Sequence, residues 1–408
     1  MNKNRLEPLG VPHSDYDFGG ELDLKARRSE PGRIDRWLVG QLRSRLGESK
    51  VAIALWDEPD DKRAEATVRF NDRGALWQTL MNPGLHFGDL YSAGRISVHG
   101  DLLAALGEAY RYIRELESNG RPHAGARLVT PSLSDSKRNI HHHYDLGNDF
   151  YKLWLDETMT YSSAVFDGMG NSLEAAQRRK YARVIDALEL KKGDQILEIG
   201  SGWGGFAEEA ARKKATVKGI TLSREQLAFA EQRIAKAGLD NRASFHFEDY
   251  RDTKGSFNGI ASIEMIEAVG EPHWPTYFRT LYDRLKPGGI AAIQGITISE
   301  VNYEAYRSGV DFIQRYIFPG GMLLTKTIMK EQATKAGLIL ERVETFGQSY
   351  ATTLRVWHER FEEVWPDVAK LGFDEKFRRL WKLYLSYCEA GFAESVVDVG
   401  IYKLRKPA

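Results

Sequence analysis

Gln195-Ile196-Leu197-Glu198-Ile199-Gly200-Ser201-Gly202-Trp203-Gly204-Gly205 is an apolar run that ends in an acid and opens into a turn with four glycines. Gln195 to Ile199 reads as a strand buried on both faces, and Phe206 to Lys213 carries a helical pattern behind it. Glycines 200, 202, 204 and 205 let the backbone turn sharply and approach a ligand with no Cβ between them. Working outward, Thr216 to Ser223 is a second strand, and Arg224 to Ala237 a helix whose N-cap is Ser223, with Gln226 as its capping-box partner. Ser244 to Phe247, Ile260 to Met265 and Gly289 to Ile293 are further strands, the last following the Lys286-Pro287-Gly288-Gly289 turn. Strands alternating with helices at this spacing predict an α/β fold, a doubly wound and mostly parallel sheet with helices on both faces.

Ligands of such a sheet sit at the carboxyl ends of its strands, here Glu198, Thr221, Asp249, Glu267 and Gln294. The E-x-G-x-G order differs from the dinucleotide fingerprint, since its third glycine falls early and an acid precedes the first. An acid at 198 suits a cation better than a pyrophosphate. S-adenosylmethionine fits that demand, because its sulfonium and amino groups are positive and it carries no phosphate.

Lys plus Arg and Asp plus Glu are 57 each, so no global field favours nucleic acid, and none is expected as a partner. Cys388 is the single cysteine, which excludes an intrachain disulfide and a multi-cysteine metal site. No charged-then-apolar leader opens the chain and no run of about 18 apolar residues occurs. A cytoplasmic protein whose membrane contact is peripheral is therefore expected.

At 408 residues two domains are expected. Residues 1–125 read as a smaller α+β domain that opens with a polar stretch to Pro31. It contains a helix from Ile34 to Leu46, strands at Val51 to Leu55 and Thr67 to Phe70, and a helix from Leu102 to Leu116. It either packs plainly on the catalytic domain or presents lipid or forms oligomers. A polar linker at about 120 to 138 leads into residues 126–408. His141, His142 and His143 are adjacent and lack H-x-x-x-H spacing, so no metal is expected. Met159 to Phe166 mixes hydroxyls with aromatics and reads as a loop covering a pocket.

His143-Tyr144-Asp145-Leu146-Gly147-Asn148-Asp149, Tyr161-Ser162-Ser163-Ala164, the glycine loop, Tyr316-Ile317-Phe318-Pro319-Gly320-Gly321 and Tyr350-Ala351-Thr352-Thr353-Leu354 together resemble the cyclopropane fatty acid synthase family, which includes the mycolic acid methyltransferases. The likeness runs in order from about 85 to 400. It implies a class I methyltransferase that moves a methyl group from S-adenosylmethionine to the cis double bond of an acyl chain, usually in a membrane phospholipid. Carried over by motif, Tyr144, Tyr161, Ser162, Glu198, Gly200 and Gly202 would hold the methionine part. Thr221 and Gln226 would contact the ribose, unless they only cap the helix, and Asp249 with Tyr250 would hold the adenine.

An alkene is a weak nucleophile with no proton to remove beforehand, so catalysis rests on alignment and on stabilising a carbocation. Aromatic faces do the second through cation–π attraction. Tyr306, Phe312, Tyr316 and Phe318 are candidates for that role, with packing in the core as the alternative. The family's bicarbonate base implies a pocket of cysteine, glutamate, histidine, an isoleucine main chain and tyrosine. Glu267, Ile296 and Tyr350 fit, but Ser163 replaces the cysteine, Gln294 the histidine, and Ala268 follows the glutamate where histidine is common. Bicarbonate binding, and with it cyclopropane closure rather than a methyl- or methylene-branched product, turns on these changes. Val301 to Leu324 would line an acyl channel. Leu102 to Leu116 and Phe373 to Phe392 would offer faces to the inner surface of a membrane, aided by Lys137 and Arg138. A homodimer is expected. The competing readings are a methyltransferase for a soluble acceptor and a non-catalytic lipid- or cofactor-binding homologue.

Overall fold

The computed structural model describes residues 30–47, 49–81, 83–118, 146–168, 172–309 and 311–408. The first unit holds a three-stranded sheet of β1 (Val51–Ala54), β2 (Ala66–Phe70) and β3 (Ile96–Gly100), in which β2 pairs in parallel with β1 and antiparallel with β3. Its core gathers Val39, Leu55, Phe70, Leu76, Leu90 and Ile96. The linker expected at about 120 to 138, with Lys137, Arg138 and the three histidines, lies outside the described residues.

The second unit is built on seven strands: β4 (Gln195–Ile199), β5 (Thr216–Thr221), β6 (Ala243–Phe247), β7 (Phe257–Ile263), β8 (Leu285–Ile298), β9 (Ile339–Thr345) and β10 (Val397–Arg405). Their order is β6-β5-β4-β7-β8-β10-β9. The pairs from β6 to β8 are parallel, and β10 runs antiparallel to both its neighbours. The expected mostly parallel sheet is thus present, with β9 and β10 as strands that the sequence pattern did not announce. Chain progress reverses at β4, so the crevice between the carboxyl ends of β4 and β7 is the switch point at which such sheets bind ligands. Glu198 stands near the end of β4 and Glu264 directly after β7.

One flank of the sheet carries an aromatic core. Phe150, Tyr151 and Trp154 on the helix Gly147–Trp154 meet Trp357 and Phe361 on the helix Gly347–Glu363, and Trp381 on the helix Glu375–Ala393. Trp154 lies with its ring centroid 5.7 Å from Trp357 and 6.0 Å from Trp381, in edge-on geometry, which adds about 0.5–1.5 kcal/mol per pair beyond area burial. The helix Leu102–Ser118 packs on Glu375–Ala393. Leu106 on the first of these helices and Leu383, Tyr384 and Ala390 on the second are buried in one core, so each helix packs an apolar face inside the fold.

Candidate active site

The glycine turn follows β4 with Gly200 at φ 80° and Gly204 at φ 82°, left-handed values that side chains avoid. A Cβ on Gly204 would also sit 3.0 Å from Ala230 Cβ and 3.1 Å from the Phe245 ring. Gly204 caps the helix Gly205–Arg212, so its free N–H groups face the crevice. The cavity there is lined by Glu198, Gly200 and Gly202 from the first turn, Thr221 and Gln226 beyond β5, Tyr250 beyond β6, and Tyr161 and Ser162 from the covering loop.

Two buried polar atoms of this lining, Glu198 Oε2 and Ser201 Oγ, have no hydrogen-bond partner. Burial holds the Glu198 carboxyl well above the usual range, and Lys180 pulls it back toward the charged form. An orphaned carboxylate in a dry pocket fits a ligand that brings its own positive charge. Thr221 Oγ1 donates to Gln226 Oε1 at 3.1 Å, and Ser223 Oγ accepts from Gln226 N at 3.2 Å. The Ser223 cap is therefore real, but the Gln226 side chain turns to Thr221 and the cavity instead of closing a capping box.

Lys180, unremarked in the sequence, is completely buried on the helix Leu173–Ala187. Its Nζ donates to Ser162 Oγ at 2.7 Å, while Gln177 Nε2 donates to Ser162 O at 2.8 Å. Burial pushes the Lys180 ammonium down to about 8, against the pull of Glu264, Asp156 and Glu198. This helix thus fixes the loop that roofs the cofactor cavity.

A second cavity, mostly apolar, adjoins the first. Ile296, Tyr306, Phe318, Tyr350, Leu354 and Tyr384 are among its walls, and Tyr161, Glu264 and Ala268 line both cavities. The Tyr161 hydroxyl lies 2.7 Å from that of Tyr384. At the junction Glu264 is decisive. Its Oε1 accepts from Ser163 N at 2.8 Å and from Gln294 Nε2 at 2.8 Å, and its Oε2 accepts from the Tyr350 hydroxyl at 2.7 Å. Burial raises its pKa, while Lys180 and these three donors favour the carboxylate.

Of the groups that the family resemblance would offer to bicarbonate, Gln294 and Tyr350, with the backbone N–H of Ser163, thus converge on a carboxylate of the chain itself, while the Ser163 hydroxyl donates to Ala164 O and Ile296 N to Glu267. The residues present do not fit a bound bicarbonate, because Glu264 fills the position those donors define. Glu264 also takes φ 48°, a left-handed backbone for a non-glycine residue. Glu267, the acid singled out from sequence, lines the same apolar cavity: its Oε1 accepts from Ile296 N at 2.6 Å, and its Oε2 is buried without a partner. Burial, and then the charge of Glu264, pushes Glu267 up to about 8, which favours its neutral form.

Other expected site residues fall elsewhere. Tyr144 lies outside the described residues. Asp249 is held by Arg251 through contacts of 2.8 and 2.5 Å and does not join the cavity lining, where Glu248 and Tyr250 stand instead. Tyr306 and Phe318 line the apolar cavity, but Phe312 and Tyr316 do not. Those two rings meet at a tilt with centroids 5.2 Å apart and contact the first unit at Gly88, where a Cβ would come within 2.8 Å of Phe312.

The sequence matches mycolic acid cyclopropane synthetase over residues 132–401. The chain belongs to this family. It is 40% identical over 331 residues to the tuberculostearic acid methyltransferase UfaA1 of Mycobacterium tuberculosis, covering 77% of each chain. It is 37% identical over 275 residues to the cyclopropane-fatty-acyl-phospholipid synthase of Escherichia coli, covering 66% of this chain and 68% of that one. The cyclopropane synthase MmaA2 of M. tuberculosis superposes with a TM-score of 0.63 at 28% identity, over 68% of this chain and 99% of its own. The family match begins after the first unit. The protein is an S-adenosylmethionine-dependent methyltransferase.

Proposed function

We propose that the protein methylates the cis double bond of an unsaturated phospholipid acyl chain and that Glu264 takes up the proton released. The observation that carries this is the meeting of a cofactor cavity and an apolar cavity at Tyr161, Glu264 and Ala268. A soluble polar acceptor has little to bind in walls of leucine, isoleucine and aromatic rings. A purely binding protein would have no use for a strained, buried carboxylate at the junction.

The chemistry follows from the groups at that junction. S-adenosylmethionine supplies an electrophilic methyl group when bound. A new C–C bond forms from the alkene π pair, the S–CH3 pair leaves with sulfur, and positive charge appears on the other alkene carbon. Tyr161, Tyr350 and Phe318 present ring faces and a hydroxyl network to that charge. A 1,2-hydride shift moves the charge to the carbon that bears the new methyl group. Glu264 then accepts a proton from that methyl, and the C–H pair closes a methylene double bond. The buried site exchanges a sulfonium and a carboxylate for two neutral groups, a change that burial of Glu264 favours.

A branched product, formed as the methylene compound, is favoured over a cyclopropane because the bicarbonate arrangement is replaced by a tethered side chain, and UfaA1 is named a methyltransferase and not a cyclopropane synthase. A substrate held in a bilayer requires peripheral membrane contact, and no helix among the described residues is long and apolar enough to cross a membrane. The test is incubation with S-adenosylmethionine and vesicles of monounsaturated phospholipid, followed by hydrolysis and NMR of the fatty acids. Olefinic protons of a terminal methylene support the proposal. High-field cyclopropane protons overturn the assigned product, and unmodified lipid overturns the acceptor.

A further inference from the structure

The apolar cavity is closed partly by the first unit, which lies outside the family match. Tyr110, on the helix Leu102–Ser118, is one of its lining residues. The Tyr110 ring lies 5.4 Å from that of Tyr387. Tyr387 in turn donates to Asp311 Oδ1 at 2.5 Å, and Asp311 Oδ2 accepts from Ile313 N to cap the helix Phe312–Tyr316. Tyr387 and Asp311 thus satisfy each other, and the Tyr110 and Tyr387 rings stand side by side among the cavity walls. Contact is close along the seam: a Cβ on Gly391 would stand 3.4 Å from the Tyr110 hydroxyl, and Arg315 pairs with Asp89 at 3.2 Å.

We propose that the first unit is a wall of the acyl chamber and that Tyr110 limits the length of chain the enzyme accepts. This rests on the acyl-chain reading above and deepens it. The seam is assembled from Gly88 and Asp89 on one side and Phe312 and Arg315 on the other, so the wall is fixed in place by packing and an ion pair. A catalytic unit standing alone would leave that side of the chamber open. Removing the Tyr110 ring lengthens the apolar space, and enlarging it shortens the space.

The experiment uses full-length wild type, Tyr110→Ala, Tyr110→Trp and Tyr110→Phe with vesicles that carry equal amounts of sixteen-, eighteen- and twenty-carbon monounsaturated chains, and reads products by mass spectrometry. The ratio of longest to shortest product is expected to rise about tenfold in Tyr110→Ala, the scale on which apolar pockets discriminate methylenes. It is expected to fall in Tyr110→Trp and to hold in Tyr110→Phe, which keeps the ring. Unchanged ratios in both the Ala and Trp variants overturn the assignment. If the Ala variant does not fold, the Trp ratio decides alone. Thermal stabilisation by saturated fatty acids of the same lengths gives a second readout without turnover: wild type that methylates nothing refutes the proposed function, whereas a length preference that ignores position 110 refutes this wall.

Discussion

Replacing Glu264 by Gln isolates the base from its surroundings. The amide oxygen can still accept from Ser163 N and Gln294 Nε2, and the Tyr350 hydroxyl can rotate to accept from the amide nitrogen. Three charge-assisted bonds become neutral ones, a loss of about 1 kcal/mol each, set against relief from burying a charge. Folding stability should therefore move by only about 1–2 kcal/mol, a few degrees in Tm for a chain of this size. Turnover is another matter. A positioned general base contributes about 10²–10⁴ in rate, or about 3–5 kcal/mol of barrier. The assay is S-adenosylhomocysteine release on monounsaturated vesicles, with calorimetric S-adenosylhomocysteine binding as the control, since Glu198 and the glycine turn are untouched. The expected result is kcat down about a hundredfold or more with binding intact. A Gln variant within about threefold of wild type would sink the reasoning, because no base in the chemistry is that dispensable.

Glu267→Gln should behave in the opposite way. Burial favours the neutral form of Glu267, and an amide oxygen can take the Ile296 N–H, so kcat should stay within about tenfold of wild type. Its folded pKa of about 8 stands above the ordinary 4.5, so the stability it contributes is whole below about pH 4.5 and is lost as pH rises through about 8. Calorimetric Tm of Glu267→Gln should therefore gain on wild type between about pH 5 and 8, and a constant difference would refute the buried neutral acid. Tyr350→Phe removes a donor that favours the Glu264 carboxylate, so the Glu264 pKa rises and the acid limb of kcat/KM against pH moves to higher pH; an unmoved limb would separate Tyr350 from the base. Trp154→Ala opens the aromatic core and should cost about 3–5 kcal/mol in denaturant unfolding.

The parts of this account legible in the sequence are those fixed by local backbone demands. Gly200 and Gly204 must be glycine because φ is positive there, and the apolar run of β4 marks a strand whatever its partners. β9 was hidden because it is a charged, largely exposed edge whose residues Glu341, Arg342 and Glu344 break any alternation. Lys180 was hidden because a lysine inside an apolar stripe reads as surface, and only the carboxylates of Glu198 and Glu264 explain its burial. Glu264 and Glu267 lie three residues apart with similar neighbours. Only the left-handed turn at 264, and donors arriving from Ser163, Gln294 and Tyr350, separate the acid at the junction from the neutral anchor. Such assignments depend on contacts more than 30 residues away along the chain, which no local pattern encodes.

The most direct test is a bicarbonate titration of methyl transfer to monounsaturated vesicles, starting from bicarbonate-free buffer, with wild type beside Glu264→Gly. Glycine suits the positive φ at 264 and leaves the Ser163, Gln294 and Tyr350 donors facing an empty space of carboxylate size. Wild type should turn over at one rate throughout, and the glycine variant should be inactive at first and recover as bicarbonate is added. A wild-type rate that starts near zero and climbs with bicarbonate would contradict the claim that the chain carries its own base.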